Sequence, residues 1–351
     1  MTIGGTPVGV EHPPFVIAEM SGNHNGSLDQ ALAIVDMVAG SGAHAVKLQT
    51  YTADTMTLEI ERDEFVINDR DSLWRGRSLH SLYEEAHTPW EWHEPIMQRA
   101  AERGLLCFSS PFDDSAVDFL DALGVPCFKI ASFECVDLPL IRKAAQTGKP
   151  LIISTGLASL EEIDEAVDAA RGAGCEQLAL LKCTSSYPAS PTDSHLRTIP
   201  ALRERFGCEV GLSDHTLGIG AAIASVALGA TVIEKHVTLD RADGGVDAAF
   251  SLEPAELARL VEESERARQA VGEVHYGPGE REAGAATRRR SLYIAEDLQA
   301  GDTLTSTNLR RIRPGLGLKP KYYDDLLGRS VTQDVARGTP MSWDLVERSG
   351  G

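Results

Sequence analysis

A chain of 351 residues is too long for one small core and long enough for a barrel with an added module. Its 42% hydrophobic and 6% aromatic content is that of an ordinary globular protein, and no run approaches the ~18 consecutive apolar residues of a membrane span. A net charge of −19 argues against nonspecific binding to nucleic acid or to an anionic membrane.

That charge is unevenly spread. Residues 287–351 carry 11 Lys/Arg against 8 Asp/Glu, so a mildly basic tail follows an acidic body. Such a tail would complement an anionic ligand or dock on the body; a chance difference in composition is the alternative. The six cysteines (Cys107, Cys127, Cys135, Cys175, Cys183 and Cys208) form no Cys-x-x-Cys pair. Buried reduced thiols are expected, and with them a cytoplasmic protein without a signal peptide.

Along the chain, eight short apolar runs end in polar residues: Phe15–Glu19, Ala45–Thr50, Leu105–Ser110, Cys127–Ser132, Leu151–Thr155, Leu178–Thr184, Val210–His215 and Val232–His236. A segment of helical period follows each. Eight strand–helix units predict an α/β fold of the (β/α)8 TIM-barrel type over residues 1–272, with every strand end in one pocket. Ser27 reads as an N-cap, Ser159-Leu-Glu-Glu162 as a capping box and Pro254 as a first-turn proline. Gly104, Gly124, Gly148 and Gly174 stand where helices should stop.

Two stretches depart from that rhythm. Tyr51 to His87 is long for a βα loop, is charged from Glu59 to Asp71, and predicts a short helix near Ser78–Ala86. Residues 273–286, crowded with Gly, Pro and Glu, predict a linker. Beyond it, Asp297-Leu-Gln-Ala-Gly301-Asp-Thr-Leu304 echoes Asp334-Val-Ala-Arg-Gly338-Thr-Pro-Met341, which predicts a small, mainly β module over 287–351.

The polar strand ends carry the chemistry. His215 and His236 close neighbouring strands ~4.8 Å apart and are candidate ligands of one metal ion. With only two histidines the ion keeps open positions, as a Lewis acid needs. Glu234 shares the face of His236 and is expected one layer below it, orienting or charge-balancing the site. Lys47 and Lys129, set among Ser110, Ser132, Ser154, Thr155 and Ser213, suit a compact polyanion such as a phosphate with a carboxylate. A Schiff-base lysine is the competing reading. Glu19 and Glu134 are candidate general acid/base groups, and Gln49, Tyr187 and Asp247 are candidates for recognising sugar hydroxyls or amides. Cys183 has no evident partner base and is expected to be inert.

Ala18-Glu-Met-Ser-Gly-Asn-His-Asn-Gly26, Val46–Thr50, Phe128–Ser132, Gly211–Thr216 and Ile233–Thr238 together resemble the sialic acid synthase family, the phosphoenolpyruvate-dependent nonulosonate synthases. Tyr83–His93 and Ser109–Phe112 look more like the pseudaminic acid branch than the N-acetylneuraminate branch, which usually shows Ala-Gly-Val where this chain has Met20-Ser-Gly22. An acceptor with a less polar, 6-deoxy tail would suit an aromatic loop containing Trp74, Trp90 and Trp92.

The resemblance implies a divalent ion, Mn2+ or Mg2+, on His215 and His236. It also implies phosphoenolpyruvate held by Lys47, Lys129, Ser132, Ser154 and Ser213, with the amino sugar facing Gln49, Tyr187 and Asp247. The tail would be an antifreeze-like (SAF) domain whose Arg313 enters the neighbouring subunit's site in a domain-swapped homodimer. N-acetylneuraminate or legionaminate synthesis is the near alternative. A metal-dependent hydrolase on the same barrel is a distant one, disfavoured because the first strand ends Ala18-Glu19-Met20 without a His-x-His pair. An ice-binding or carbohydrate-binding role rests on the tail alone.

Overall fold

The computed structural model describes residues 1–60, 62–69 and 72–347. Glu61, Arg70, Asp71 and residues 348–351 lie outside the described residues, and with them part of the charged stretch from Glu59 to Asp71 and the end of the expected tail module.

All eight apolar runs become strands of one closed barrel. They are β1 (Phe15–Glu19), β2 (Ala45–Thr50), β3 (Leu106–Pro111), β4 (Phe128–Ile130), β5 (Leu151–Ser154), β6 (Leu178–Cys183), β7 (Glu209–Asp214) and β8 (Val232–His236). Each pairs in parallel with the next, and β8 closes the ring against β1. The expected and observed runs differ at their ends. β4 is only three residues long, so Ser132 leaves the strand and opens a 3-10 helix at Phe133–Val136. β7 stops at Asp214, which makes His215 the first residue of a loop.

The helices begin and end for the anticipated reasons. Ser27 accepts a hydrogen bond from the Gln30 amide at the start of Leu28–Ser41. Ser159 and Glu162 exchange backbone and side-chain bonds of 3.3 and 2.7 Å at the start of Leu160–Gly172. The helices His93–Glu102, Asp114–Ala122, Leu138–Gln146 and Leu160–Gly172 each have a glycine two residues beyond, at φ of +71°, +76°, +74° and +101°. A side chain there would be strained, so glycine ends each helix. In the long second loop, Ser78 caps a helix at Leu79–Ala86, and Ala53–Met56 adds one further turn.

One element had no signal in the sequence. Thr2–Ile3 pairs with Thr6–Pro7 in an antiparallel hairpin, and Ile3 and Val8 join Phe15, Phe108 and Phe128 in the core. The strands otherwise alternate between two faces. Val16, Ala18, Val46 and Leu48 pack outward on helix residues such as Ile34, Val38, Leu257 and Leu260. The alternate residues point inward.

The chain divides into two compact units, Met1–Gly272 and Glu273–Gly351. Within residues 273–286, expected to be a linker, a 3-10 helix begins at Glu280 and runs to Arg288, with the Gly279 amide donating to Glu282 at 3.1 Å. In the second unit, β9 (Ser291–Ile294) and β10 (Leu309–Ile312) pair antiparallel over a core of Leu292, Leu304, Leu326, Val331 and Met341. The 37-residue echo is a physical pairing. Leu298 and Val335 exchange two backbone bonds of 2.9 Å. Asp297 accepts from the Arg337 amide at 2.7 Å and Asp334 from the Ala300 amide at 2.9 Å, so each repeat caps the other's turn.

Gly211 on β7 sits where strands approach most closely: a Cβ there would lie 2.1 Å from the Val232 carbonyl oxygen and 2.8 Å from Leu181. Gly211→Ala should therefore cost about 1–3 kcal/mol of stability, read as a lowered urea midpoint with unchanged slope.

Candidate active site

Register sets the inward ring. His236 is paired with Glu19, and Glu19 with Lys47. Gln49 is paired with Ser110, Cys183 with Ser213, and Ser213 with Glu234. Because side chains alternate with period two, these residues and Lys129 converge at the C-terminal mouth of the barrel, while Thr50 turns outward to Ser109 and His93 at 2.6 and 2.7 Å.

At the centre lies a buried charge cluster. Lys47 Nζ is 2.5 Å from Glu19 and 3.1 Å from Ser110 Oγ. Glu234 lies between the two lysines, 3.7 Å from Lys47 and 3.6 Å from Lys129, and accepts from Ser213 Oγ at 2.9 Å. Glu234 thus points inward as its strand face requires and charge-balances the mouth; the charges it balances are those of the two lysines. Lys129 also donates to the Ile130 carbonyl, and Gln49 donates to Glu19 at 3.0 Å.

Burial sets the protonation of these groups. It lifts Glu19 to about 7, against the pull of Lys47. Burial opposes the charge of Glu234 too, but Lys129 and Lys47 together hold its carboxyl below the usual range. Burial lowers Lys129, whereas Glu19 and Glu234 overcome it to raise Lys47. Glu134 is likewise lifted to about 7 by burial, and its Oε2 has no hydrogen-bond partner.

The two histidines face each other with ring centroids 5.3 Å apart. His215 Nδ1 lies 2.9 Å from the Thr184 carbonyl. A carbonyl only accepts, so Nδ1 carries a proton, and Nε2 is the ring nitrogen left to meet a ligand. His236 Nδ1 is buried without a hydrogen-bond partner, 3.7 Å from Asp247. Burial, then His215 and the lysines, holds His236 far below the ordinary imidazole range, hence neutral. Among the described residues no three His, Cys, Asp or Glu side chains gather as a ligand set. An orphaned neutral imidazole beside a second, correctly oriented one fits a divalent ion that takes its remaining ligands from water and substrate.

Around the histidines stands an aromatic wall. Tyr187 lies 4.6 Å from His215 and 5.5 Å from Phe250, which in turn lies 5.0 Å from His236. Asp247 accepts from Ser21 Oγ, and its amide reaches Asn23 Oδ1 at 3.3 Å. Ser21 holds φ +49°, a strained value for serine that aims its hydroxyl at this carboxylate. Sequence reasoning missed Ser21; its only signal was its place in the Met20-Ser-Gly22 departure.

The remaining candidates divide. Ser154 Oγ is buried and unpaired, free for a ligand. Ser132 bonds Ser185 at 2.7 Å, and Thr155 is committed to the Leu181 carbonyl at 3.2 Å. Cys183 lies 3.9 Å from His215 Nδ1. Arg313 belongs to the second unit, where it lines a groove with Arg290, Arg310 and Arg311. Of the three loop tryptophans only Trp74 reaches the wall. Trp90 stacks on Phe119 at 4.6 Å and Trp92 meets His24 edge-on at 5.5 Å, so both support the shell and face no ligand.

Glu234→Gln leaves two buried ammonium groups short of a counter-charge. It should lower stability by about 3–5 kcal/mol, read by urea unfolding of the ligand-free protein.

The sequence and fold are similar to those of known proteins. Residues 34–276 match the NeuB family model and residues 289–347 the SAF domain. The pseudaminic acid synthase of Campylobacter jejuni is 41% identical over 92% of this chain and 94% of its own length, and that of Helicobacter pylori 41% identical over 96% and 99%. The crystal structure of an N-acetylneuraminic acid synthetase from Leptospira borgpetersenii, in complex with citrate, superposes with a TM-score of 0.73 at 34% identity, covering 81% of this chain and 94% of that one. A closed barrel with this charged mouth, carrying a SAF domain after it, makes the chain a member of the NeuB family.

Proposed function

We propose that this protein is a pseudaminic acid synthase. It condenses phosphoenolpyruvate with 2,4-diacetamido-2,4,6-trideoxy-L-altrose to a nine-carbon 2-keto acid and inorganic phosphate. The observation that carries the reading is the buried Glu19–Lys47–Glu234–Lys129 cluster beside the two histidines. Two lysines sharing carboxylates inside a barrel mouth form a receptor for a trianion, and a proton taken up by Glu19 releases Lys47 toward it. Ser154, with its unpaired hydroxyl, and Ser110, Ser132 and Ser213 complete the cradle. The similarity to pseudaminic acid synthases selects the acceptor.

His215 and His236 would hold a divalent ion, Mn2+ or Mg2+, which would supply Lewis-acid polarisation of the open-chain aldehyde. The protein's own groups do the rest. Lys47 and Lys129 hold the enol phosphate, whose C3 forms the new bond to the aldehyde carbon. Glu19, protonated below about 7, delivers a proton to the sugar oxygen. Glu134, ionised above about 7, takes the proton of the water that adds to C2. The tetrahedral phosphate then collapses by C–O cleavage, releasing phosphate and the keto acid. Gln49, Tyr187 and Asp247 orient the sugar.

The working unit is a homodimer in which Arg313 of one copy enters the partner's mouth. Two features support it. The Arg290–Arg310–Arg311–Arg313 groove is basic, and the barrel rim exposes Phe133, Val136, Leu157 and Leu160. The protein works in the cytoplasm, a reading supported by its six free cysteines, five of them buried, which suit a reducing compartment.

Phosphate release in the presence of phosphoenolpyruvate and a divalent metal should require the 6-deoxy diacetamido sugar and be about tenfold or more weaker with N-acetylmannosamine. Release independent of sugar would support the hydrolase alternative instead. With a base and an acid both near 7, kcat/KM should be bell-shaped. Glu134→Gln should lose the acidic limb and reduce kcat by about 10²–10⁴; a limb that survives the substitution would remove Glu134 from the role of base.

A further inference from the structure

The segment from Thr57 to Ser78 has no place in the barrel's strand–helix rhythm, yet its described residues 66–67 and 72–78 are organised. Ile67 donates to the Arg77 carbonyl at 2.9 Å, Gly76 donates back to Ile67 at 2.8 Å, and Val66 bridges to Ser78. These bonds make a small flap whose turn presents Trp74, braced by a 3.2 Å bond from its own amide to Ser72 Oγ. The indole makes two different contacts with the site. Its Nε1 donates to the Val246 carbonyl at 3.1 Å, and its ring tilts against Tyr187 at 5.8 Å.

Those contacts join the two residues assigned to the sugar. Val246 immediately precedes Asp247, and its side chain fills the space over Gly22, where a Cβ would lie 2.6 Å from Val246 Cγ2. The 245–247 segment is thus held on one side by the Ser21–His24 turn and on the other by Trp74. Tyr187, the second contact, packs on His215 and Phe250. One indole therefore fixes the carboxylate and the phenol together, and adds an apolar surface next to both.

We propose that Trp74 is the positioning and specificity residue for the acceptor: it locks Asp247 and Tyr187 in register and forms, with Tyr187 and Phe250, an apolar wall for the deoxy end of the sugar. This rests on the synthase reading above. A wall of ring carbons accepts a methyl group without loss, whereas a hydroxyl placed against it gives up its hydrogen bonds to water. Apolar pockets reject an added hydroxyl by at most about 10²-fold, so the effect is graded and measurable. The phosphoenolpyruvate cradle lies on Lys47, Lys129 and Glu234, none of which Trp74 touches.

The test compares the full-length protein with Trp74→Ala and Trp74→Phe, using the 6-deoxy sugar and its 6-hydroxy counterpart. Trp74→Ala should raise the KM for the 6-deoxy sugar about tenfold or more and shrink the preference for it over the 6-hydroxy sugar by about tenfold, with kcat changed only a few-fold. The KM for phosphoenolpyruvate should not move, which also reports an intact barrel. Trp74→Phe, which keeps a ring and loses the N–H, should raise the sugar KM but retain the preference. An unchanged preference in Trp74→Ala, or equal rises in both KM values, overturns the proposal. If the unsubstituted protein releases no phosphate with either sugar, the synthase reading is what fails.

Discussion

Two ammonium groups enclosed by a barrel must be neutralised, and that requirement organises this molecule. Isolated charges in a low-dielectric interior cost several kcal/mol each. Glu234 answers both lysines at once, from β8 across to β2 and β4, and Glu19 answers Lys47 from the adjoining strand. The balance is incomplete by design of position: Glu19 is buried deeply enough to titrate near neutrality, so one proton converts a neutral cluster into a cationic receptor. The same burial leaves Ser154 and His236 Nδ1 without partners, and unpaired polar atoms of this kind are where a ligand gains most.

Around that cluster the barrel separates tasks by height and by side. Pairing of His236 with Glu19 and of Glu19 with Lys47 brings the imidazoles level with the anion receptor. The aromatic residues stand on the far side of the histidines, from loops after β6 and β8 and from the flap after β2. An anion-binding, hydrogen-bonding half and an apolar half thus stand on either side of the two histidines. A small acid and a partly deoxygenated sugar are complementary to such a divided pocket.

The second unit follows its own logic. Two similar turns, 37 residues apart, bond to each other's aspartates, so each repeat completes the other's turn. Its core is small, built on residues such as Leu292, Leu304 and Val331, and four arginines, Arg290, Arg310, Arg311 and Arg313, line a groove on its surface.

By itself the sequence determined the barrel, because the eight polar-ended apolar runs and the capping residues between them are local signals of period and of backbone preference. It also determined which side chains enter the mouth: alternation along a strand places Lys47, Lys129, Ser213 and His236 inward regardless of what stands opposite. Partnership across the barrel was decided only by tertiary structure. Strand spacing placed Glu234 inward below His236 but did not name Lys47 and Lys129 as its partners, and Ser21, Ser185 and the Thr184 carbonyl were invisible. Their contacts join strands or loops far apart in the chain, at heights set by the barrel's stagger. The same is true of the three tryptophans, alike in the sequence, of which folding brings Trp74 alone against Tyr187.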